Sequence, residues 1–413
     1  MSPGDCIVPG SVGGSTTAAR GTRSVEEDPF TIATSEFSAF GITVTRTPHA
    51  GSRPSWVVAG RSNRRWWLVP TSPTSVAAAG WSLFQPLLLS ARLLKGVAVA
   101  AGRLGLAPIL AQGRLHVSGS PAFAAELLPQ PAHCSLFTGT AGPHRKSVVQ
   151  VMDAQGAIKA FAKIACAPLA QSLLTHEAMV LGQLSAVHLR SASLPTVLAI
   201  GEFRGATILV TDTVKDAGTR SPARLLPAHL AFLHELSVRM PVGSAQGVDV
   251  LLDDLHARMA RVQDGLELAW RNRLAEVLVR IEDQRQVIAP VGFSHGDFTP
   301  WNCFLHDEGL YVFDWEYAGY EFPADYDLIH FLMALPGRSG LSSAKEVNSL
   351  LAALSERSGC DILQASTRLL AYLATLSLRY ADRARAAGAD RLDWEGAERS
   401  AALLDHLLCT EAM

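Results

Sequence analysis

Phe293-Ser-His-Gly-Asp-Phe-Thr-Pro-Trp-Asn-Cys-Phe-Leu-His-Asp-Glu-Gly-Leu-Tyr-Val-Phe-Asp-Trp-Glu316 is the stretch that decides the fold. Two short apolar runs, 302–305 and 310–314, flank the polar turn His306-Asp307-Glu308-Gly309, which ends in glycine. This is the pattern of a β-hairpin. A turn placed there pairs positions whose numbers sum to about 615, so Asn302 and Asp314 arrive nearly opposite each other at the open end. An amide oxygen and a carboxylate meeting there are hard ligands of the kind Mg²⁺ takes alongside phosphate oxygens. Asp297, on the loop leading into the hairpin, is placed to accept the proton of an attacking hydroxyl.

An Asp-x-x-x-x-Asn loop followed by a metal-binding Asp is the spacing of kinase catalytic machinery. The form here is His295-Gly296-Asp297, then Asn302, then Asp314-Trp315-Glu316. It resembles the aminoglycoside phosphotransferase and choline kinase family of kinase-like small-molecule phosphotransferases. A protein kinase would carry Arg after the His and Phe-Gly after the metal Asp. No activation segment is evident between Glu316 and the next helix.

The 413 residues suffice for two or three domains with a large core, and 48 % hydrophobic against 18 % charged residues fits a folded soluble chain. A formal net charge of −2 gives no reason to expect nucleic acid or an anionic membrane as partner. Six scattered cysteines without a Cys-x-x-Cys pair suggest neither zinc nor disulfides, and a cytoplasmic location is the plain expectation. Residues 1–28, rich in Gly, Ser and Thr, read as a flexible tail without a signal-peptide core. No uncharged apolar run is long enough for a transmembrane span.

Residues 29–130 form an α/β extension of open role. Strands are expected at 42–46, 56–59 and 65–69, and helices at 75–84 and 87–104. The knot Arg64-Arg65-Trp66-Trp67 has the chemistry to stack a sugar or base. A strand with its tryptophans inside and its arginines outside is the favoured reading. The 87–104 helix has three basic residues and no acidic one, which would allow contact with a membrane surface; packing on the neighbouring domain is preferred. The extension suggests a biosynthetic kinase, or one docked to a protein partner.

From residue 131 the pattern sharpens into a small lobe ending at 214. A strand at 134–137 and another at 147–152 flank a small-residue loop containing Gly139, Thr140 and Gly142, an arrangement that lets backbone N–H groups approach phosphates. A third strand, 157–165, carries Lys163 in its second half. In the helix expected at 172–185, Glu177 lies on the apolar stripe between Leu173 and Leu181, and a buried carboxylate there needs a cationic partner. Lys163 is the obvious one; Lys159 stands at the strand entrance. Strands at 196–203 and 207–214 complete a five-stranded lobe.

Residues 215–413 read as a helical lobe interrupted by the catalytic stretch, with helices near 227–239, 251–262, 266–282, 322–335, 343–356, 362–387 and 394–408. Between residues 291 and 337 there are eight Asp or Glu and no Lys or Arg, including Glu316, Glu321 and Asp325. Bound Mg²⁺ and a cationic acceptor would both relieve their repulsion.

The resemblance implies a two-lobed, protein-kinase-like α+β fold with ATP and Mg²⁺ between a β-rich small lobe and a mainly helical large lobe. It implies transfer of the γ-phosphoryl to a hydroxyl of a small molecule: an amino sugar, a sugar or an amino alcohol. Asp297 would be the base, Asn302 and Asp314 the metal ligands, and Lys163, fixed by Glu177, the phosphate-binding cation. The loop at Gly139, Thr140 and Gly142 would cover the phosphates. Backbone groups of Asp212, Thr213 and Val214 would meet the adenine, and Asp327 would brace the catalytic loop. The alternative is a nucleotide-binding, pseudokinase-like regulatory module acting through its N-terminal extension.

Overall fold

A computed structural model describes residues 29–59, 65–86, 89–110, 114–140, 142, 144–216, 218–242, 244–306, 309–335, 344–388 and 396–410. The expected tail at 1–28, Arg64 and the tip of the hairpin turn at 307–308 lie outside the described residues. Among the described residues no helix is long and apolar enough to cross a membrane.

The extension comprises α1 (Pro29–Ala39), β1 (Ile42–Thr45), β2 (Arg53–Ala59), β3 (Trp66–Pro70), α2 (Thr74–Ala79), α3 (Leu89–Arg103), α4 (Ala107–Leu110) and β4 (Arg114–Gly119). The small lobe follows with β5 (His133–Phe137), β6 (Ser147–Met152), β7 (Ile158–Ala165), α5 (Pro168–Ser185), β8 (Ala192–Ser193), β9 (Val197–Phe203) and β10 (Ala206–Thr211). These strands build one antiparallel sheet in the order β1-β4-β2-β3-β5-β6-β7-β10-β9, with β8 left to a second, small sheet. The five-stranded lobe expected from sequence is therefore the second half of a nine-stranded sheet. Its seam is β3 against β5, where Trp67 faces Phe137 and Leu68 faces Leu136. Alternating residues mark a strand but not its neighbour, so this continuity was hidden. Phe37 of α1 and Phe40 just after it are fully buried in the core beneath both halves, with Leu136, Val149, Ala162 and Ile208.

Three elements of the extension, α1, α4 and β4, have no counterpart among those expected from sequence. The sequence of α1, Pro-Phe-Thr-Ile-Ala-Thr-Ser-Glu-Phe-Ser-Ala, carries β-branched residues that argue against a helix, and tertiary burial overrides them. Strand β4 is bracketed in sequence by Gly113 and by Ser120-Pro121, so a strand signal was present there. Trp66 and Trp67 are half-buried, Trp67 stacking on Phe137 with ring centres 4.8 Å apart, while Arg65 is exposed.

The large lobe contains α6 (Pro227–Arg239), α7 (Ser244–Val262), α8 (Leu268–Asp283), α9 (Arg285–Ile288), β11 (Cys303–His306), β12 (Gly309–Val312), α10 (Tyr326–Ala334), α11 (Ala344–Ser358), α12 (Ile362–Ala386) and α13 (Ala397–Thr410). Helix α12 is the hub, packing on α7, α8, α9, α10, α11 and α13. The hairpin forms as expected, with Cys303 facing Val312 and His306 facing Gly309. Boundaries differ where local chemistry intervenes. Helix α5 starts at Pro168, four residues early, because proline suits the first helical turn. Strand β10 stops at Thr211, before the expected 214, where the Asp212 carboxylate turns to cap the Thr196 amide at 2.6 Å. Helix α10 begins only at Tyr326, after Asp325 adopts a left-handed conformation at φ +59°.

Candidate active site

The charged centre of the site is built by three elements distant in sequence. On β7 the side chains of Phe161 and Lys163 share the face opposite to the buried Ala160, Ala162 and Ile164. The Lys163 ammonium lies 2.6 Å from both carboxylate oxygens of Glu177 and 2.6 Å from Oδ1 of Asp314. Lys159, the rival, points outward to Asp153. Burial works against the charge of Lys163, but Asp314 and Glu177 outweigh it and hold its pKa above the ordinary value. Burial likewise opposes the charge of Asp314, yet Lys163 and Lys146 keep its carboxyl well below the usual range.

Lys146 was not read from sequence. It ends the glycine loop just before β6, and its ammonium pairs with Glu316. Burial pulls its pKa down to about 8, against the upward influence of Asp314, Glu177 and Asp297. No sequence signal marks it, because only folding of the loop turns it inward. Gly139 takes φ +71°, and a Cβ there would stand 2.1 Å from the Lys146 carbonyl oxygen, so only glycine permits this close crossing. Gly142, at φ +139°, and the exposed Thr140 lie on the outer part of the loop. Its base is tied down from the extension: Thr138 exchanges bonds with Trp66, and Glu36 of α1 accepts from Ser147 and faces Arg145 at 3.9 Å.

The catalytic loop is held from beneath. Both oxygens of the buried Asp327 accept backbone N–H groups, His295 at 2.6 Å and Gly296 at 3.0 Å, as expected for a brace. Gly296 has φ +78°, and a Cβ there would meet the Tyr317 carbonyl. The Asn302 amide donates to the Asp297 backbone carbonyl and to its Oδ2, both at 2.9 Å. The other Asp297 oxygen lies 3.0 Å from Nε2 of His330, whose Nδ1 is 2.9 Å from the Tyr372 hydroxyl. His330 was also missed, although its spacing from Asp327 on one helix was a usable signal.

The donor set suits a divalent ion. The Asn302 amide nitrogen is occupied, which leaves its oxygen for a cation, and Asp314 keeps Oδ2 clear of Lys163. Single oxygens of Glu177, Asp314 and Glu316 also lie within 4.8 Å of one another. One or two carboxylates and an amide oxygen, completed by phosphates and water, is the set Mg²⁺ accepts.

Residues Asp212, Thr213 and Val214 directly follow β10, whose last residue pairs with Phe161 of β7. The Asp212 N–H bonds the Thr196 carbonyl, the Tyr311 hydroxyl donates to the Asp212 carbonyl, and the Thr213 hydroxyl accepts from the Lys215 N–H. The acidic run is neutralised from outside itself: Glu316 by Lys146, Glu321 by Arg379 at 3.2 Å, and Asp325 by Arg368. A cationic acceptor is thus not needed to relieve it. A cavity of ≈ 500 Å³ opens beside Glu316 and Tyr317, bounded by His144, His176 and Arg383, within the size range of small-ligand sites.

A lysine–glutamate pair against an aspartate, beside a loop in which an Asn amide holds an Asp carboxylate, is the arrangement found in kinase-like phosphotransferases. The model of the phosphotransferase enzyme family matches residues 141–370, more than half of the chain, and the protein belongs to that family. Among solved structures the chain is similar to the GDP complex of wild-type aminoglycoside 2'-phosphotransferase-IIIa, at 15 % identity over 65 % of this chain and 90 % of that one, with a TM-score of 0.42. Macrolide 2'-phosphotransferase from Brachybacterium faecium shows 18 % identity over 63 % and 88 %, with a TM-score of 0.40. A choline/ethanolamine kinase family protein from Mesorhizobium loti shows 16 % identity over 60 % and 82 %, with a TM-score of 0.38. No curated protein matches the chain.

Proposed function

We propose that the protein transfers the γ-phosphoryl of a purine nucleoside triphosphate to a hydroxyl of a small molecule, with ATP the donor that the family resemblance implies and a sugar, amino sugar or amino alcohol the acceptor. The observation that carries this reading is the meeting of Lys163, Glu177 and Asp314 within 2.6 Å contacts, beside an Asp297 oriented by two further side chains.

Each residue then has a task. Lys163, positioned by Glu177, and Lys146 offset phosphate charge, while the loop at Gly139, Thr140 and Gly142 covers the phosphates. Asn302 and Asp314 would hold Mg²⁺, which supplies charge neutralisation and orientation of the phosphates when bound. Asp297 orients the acceptor hydroxyl and takes its proton as the new O–P bond forms and the nucleoside diphosphate leaves. These residues act at the phosphates and the hydroxyl, so the same chemistry serves any purine triphosphate. A cytoplasmic place, where such donors are made, goes with this reading. The regulatory alternative is disfavoured, since a module without turnover has no need of an oriented base.

The test is phosphate transfer from Mg-ATP and Mg-GTP across a panel of sugars, amino sugars and amino alcohols, read by product mass. One acceptor is expected to gain a phosphate. Asp297→Asn is expected to lower turnover on the order of 10³-fold or more. A variant that kept near-normal turnover would remove Asp297 from the role of base.

A further inference from the structure

Lys215 has no part in the phosphate chemistry, yet it is only 8 % exposed and faces the same cleft. Its ammonium sits 5.4 Å from the ring centre of Phe161 and 5.1 Å from that of Phe313, and no oxygen among the described residues accepts from it. Lys95 of α3 lies near enough to act on it electrostatically and is equally without an acceptor. Burial, with that neighbour, pulls the pKa of Lys215 down to about 7; burial, then Arg220 and Arg92, pulls Lys95 down to about 8. The Lys215 ammonium rests on two ring faces and has no acid beside it, so with Lys95 it makes an edge rich in donors and poor in acceptors, which the acceptors of a ligand would complement.

Its position indicates what that is. Phe161 stands two residues before Lys163 on the same face of β7, roughly 7 Å along the strand. It pairs across the sheet with Thr211, the last residue of β10. Phe313 immediately precedes Asp314. One ring comes from each lobe, beyond the phosphate lysine and beside the linking segment, where the base of a bound nucleotide falls. Flat bases stack on such rings. Guanine presents two acceptors, O6 and N7, along one edge, whereas adenine presents N7 beside an amino donor that would face the ammonium donor to donor.

We infer that Lys215, supported by Lys95 of the N-terminal extension, reads the O6/N7 edge of a guanine base, so that the phosphoryl donor is a guanine nucleotide in preference to an adenine one. This rests on the phosphotransferase reading above and names its donor. The linking segment agrees with it. The N–H groups of Asp212, Lys215 and Asp216 are already bonded to Thr196, Thr213 and Thr219, leaving fewer donors for the N1 acceptor of adenine.

Isothermal titration of the full chain with GDP, IDP and ADP, in the presence of magnesium, tests the assignment; IDP keeps O6 and N7 and lacks the guanine amino group. GDP and IDP are expected to bind at least about tenfold more tightly than ADP, and Lys215→Met to bring all three within about twofold. Equal binding of GDP and ADP by the native chain, or a preference that survives Lys215→Met, overturns the assignment and leaves the phosphotransferase reading standing. IDP falling with ADP also overturns it, since the amino group would then be what is read. If none of the three binds, the phosphotransferase reading fails and this inference with it. Methionine keeps an unbranched side chain between the two rings, and a cooperative melting transition of Lys215→Met checks that the variant folds.

Discussion

Asp297 is held by two side chains with different consequences. The Asn302 amide fixes one oxygen from within the same loop, while His330 reaches the other from α10. A carboxylate oxygen accepts, so Nε2 of His330 is the donor to Asp297, while its Nδ1 lies 2.9 Å from the Tyr372 hydroxyl. The chain Tyr372–His330–Asp297 thus sets the carboxylate angle rather than binding phosphate. His330→Leu is expected to lower kcat on the order of 10- to 100-fold with nucleotide affinity unchanged, checked by steady-state kinetics beside direct nucleotide titration. Lys215 gives a second prediction, on stability. Its folded pKa of about 7 lies below the ordinary 10.5, so between these values the unfolded chain holds a proton that the folded chain has released. Stability therefore rises with pH across that window, by a few kcal/mol at most. Chemical denaturation at about pH 6.5 and about pH 9 should show the rise, and Lys215→Met should flatten it.

Among the elements, the glycine loop shows how little room the site allows. It needs a left-handed Gly139 so that its two strands can cross beside Lys146, and it is anchored through Glu36 and Trp66 rather than by its own residues. Gly139→Ala would push a methyl group into the Lys146 carbonyl and move the Lys146 ammonium away from Glu316. The expected result is a KM for the nucleotide raised about tenfold or more, with a smaller change in kcat once nucleotide saturates. Equal loss of kcat with KM unaltered would place the loop in the chemical step instead. The catalytic hairpin contrasts with this loop, because its register follows from its own apolar alternation and turn, and Asp327 then needs only to lock its entrance.

At the scale of the whole molecule, the extension is a structural half of the small lobe. It supplies four of the nine strands, the α1 phenylalanines of the shared core, and contacts on both rims of the cleft. Ser82, Gln85 and Arg92 bond the carbonyls of Asp216, Thr219 and Ser221, fastening the segment that follows the lobe linkage. A chain beginning at Gln130 would expose the edge of β5 and strand the glycine loop without Glu36. It is expected to aggregate or to melt well below the full chain, with no measurable nucleotide binding, as read by soluble yield, circular dichroism and titration. A well-folded, active truncated chain would show that the extension serves some purpose other than completing the lobe.

While the brace at Asp327 was expected only from the family resemblance, the amino-acid sequence by itself determined the hairpin at 302–314, the partnership of Lys163 with Glu177 and most helices of the large lobe. Those depend on local periodicity, turn residues and short fixed spacings, which a linear pattern records. Only the tertiary structure decided that the extension joins the same sheet, that Lys146 turns inward to Glu316, that His330 reaches Asp297 and that Lys215 lies between rings of the two lobes. The acidic run taught the same lesson, since Lys146, Arg368 and Arg379, which neutralise it, come from 170 residues before Glu316 to 58 after Glu321. Pairing partners in a sheet and across a cleft are chosen by burial and by which charges would otherwise stand alone, and neither is written in the residues next door.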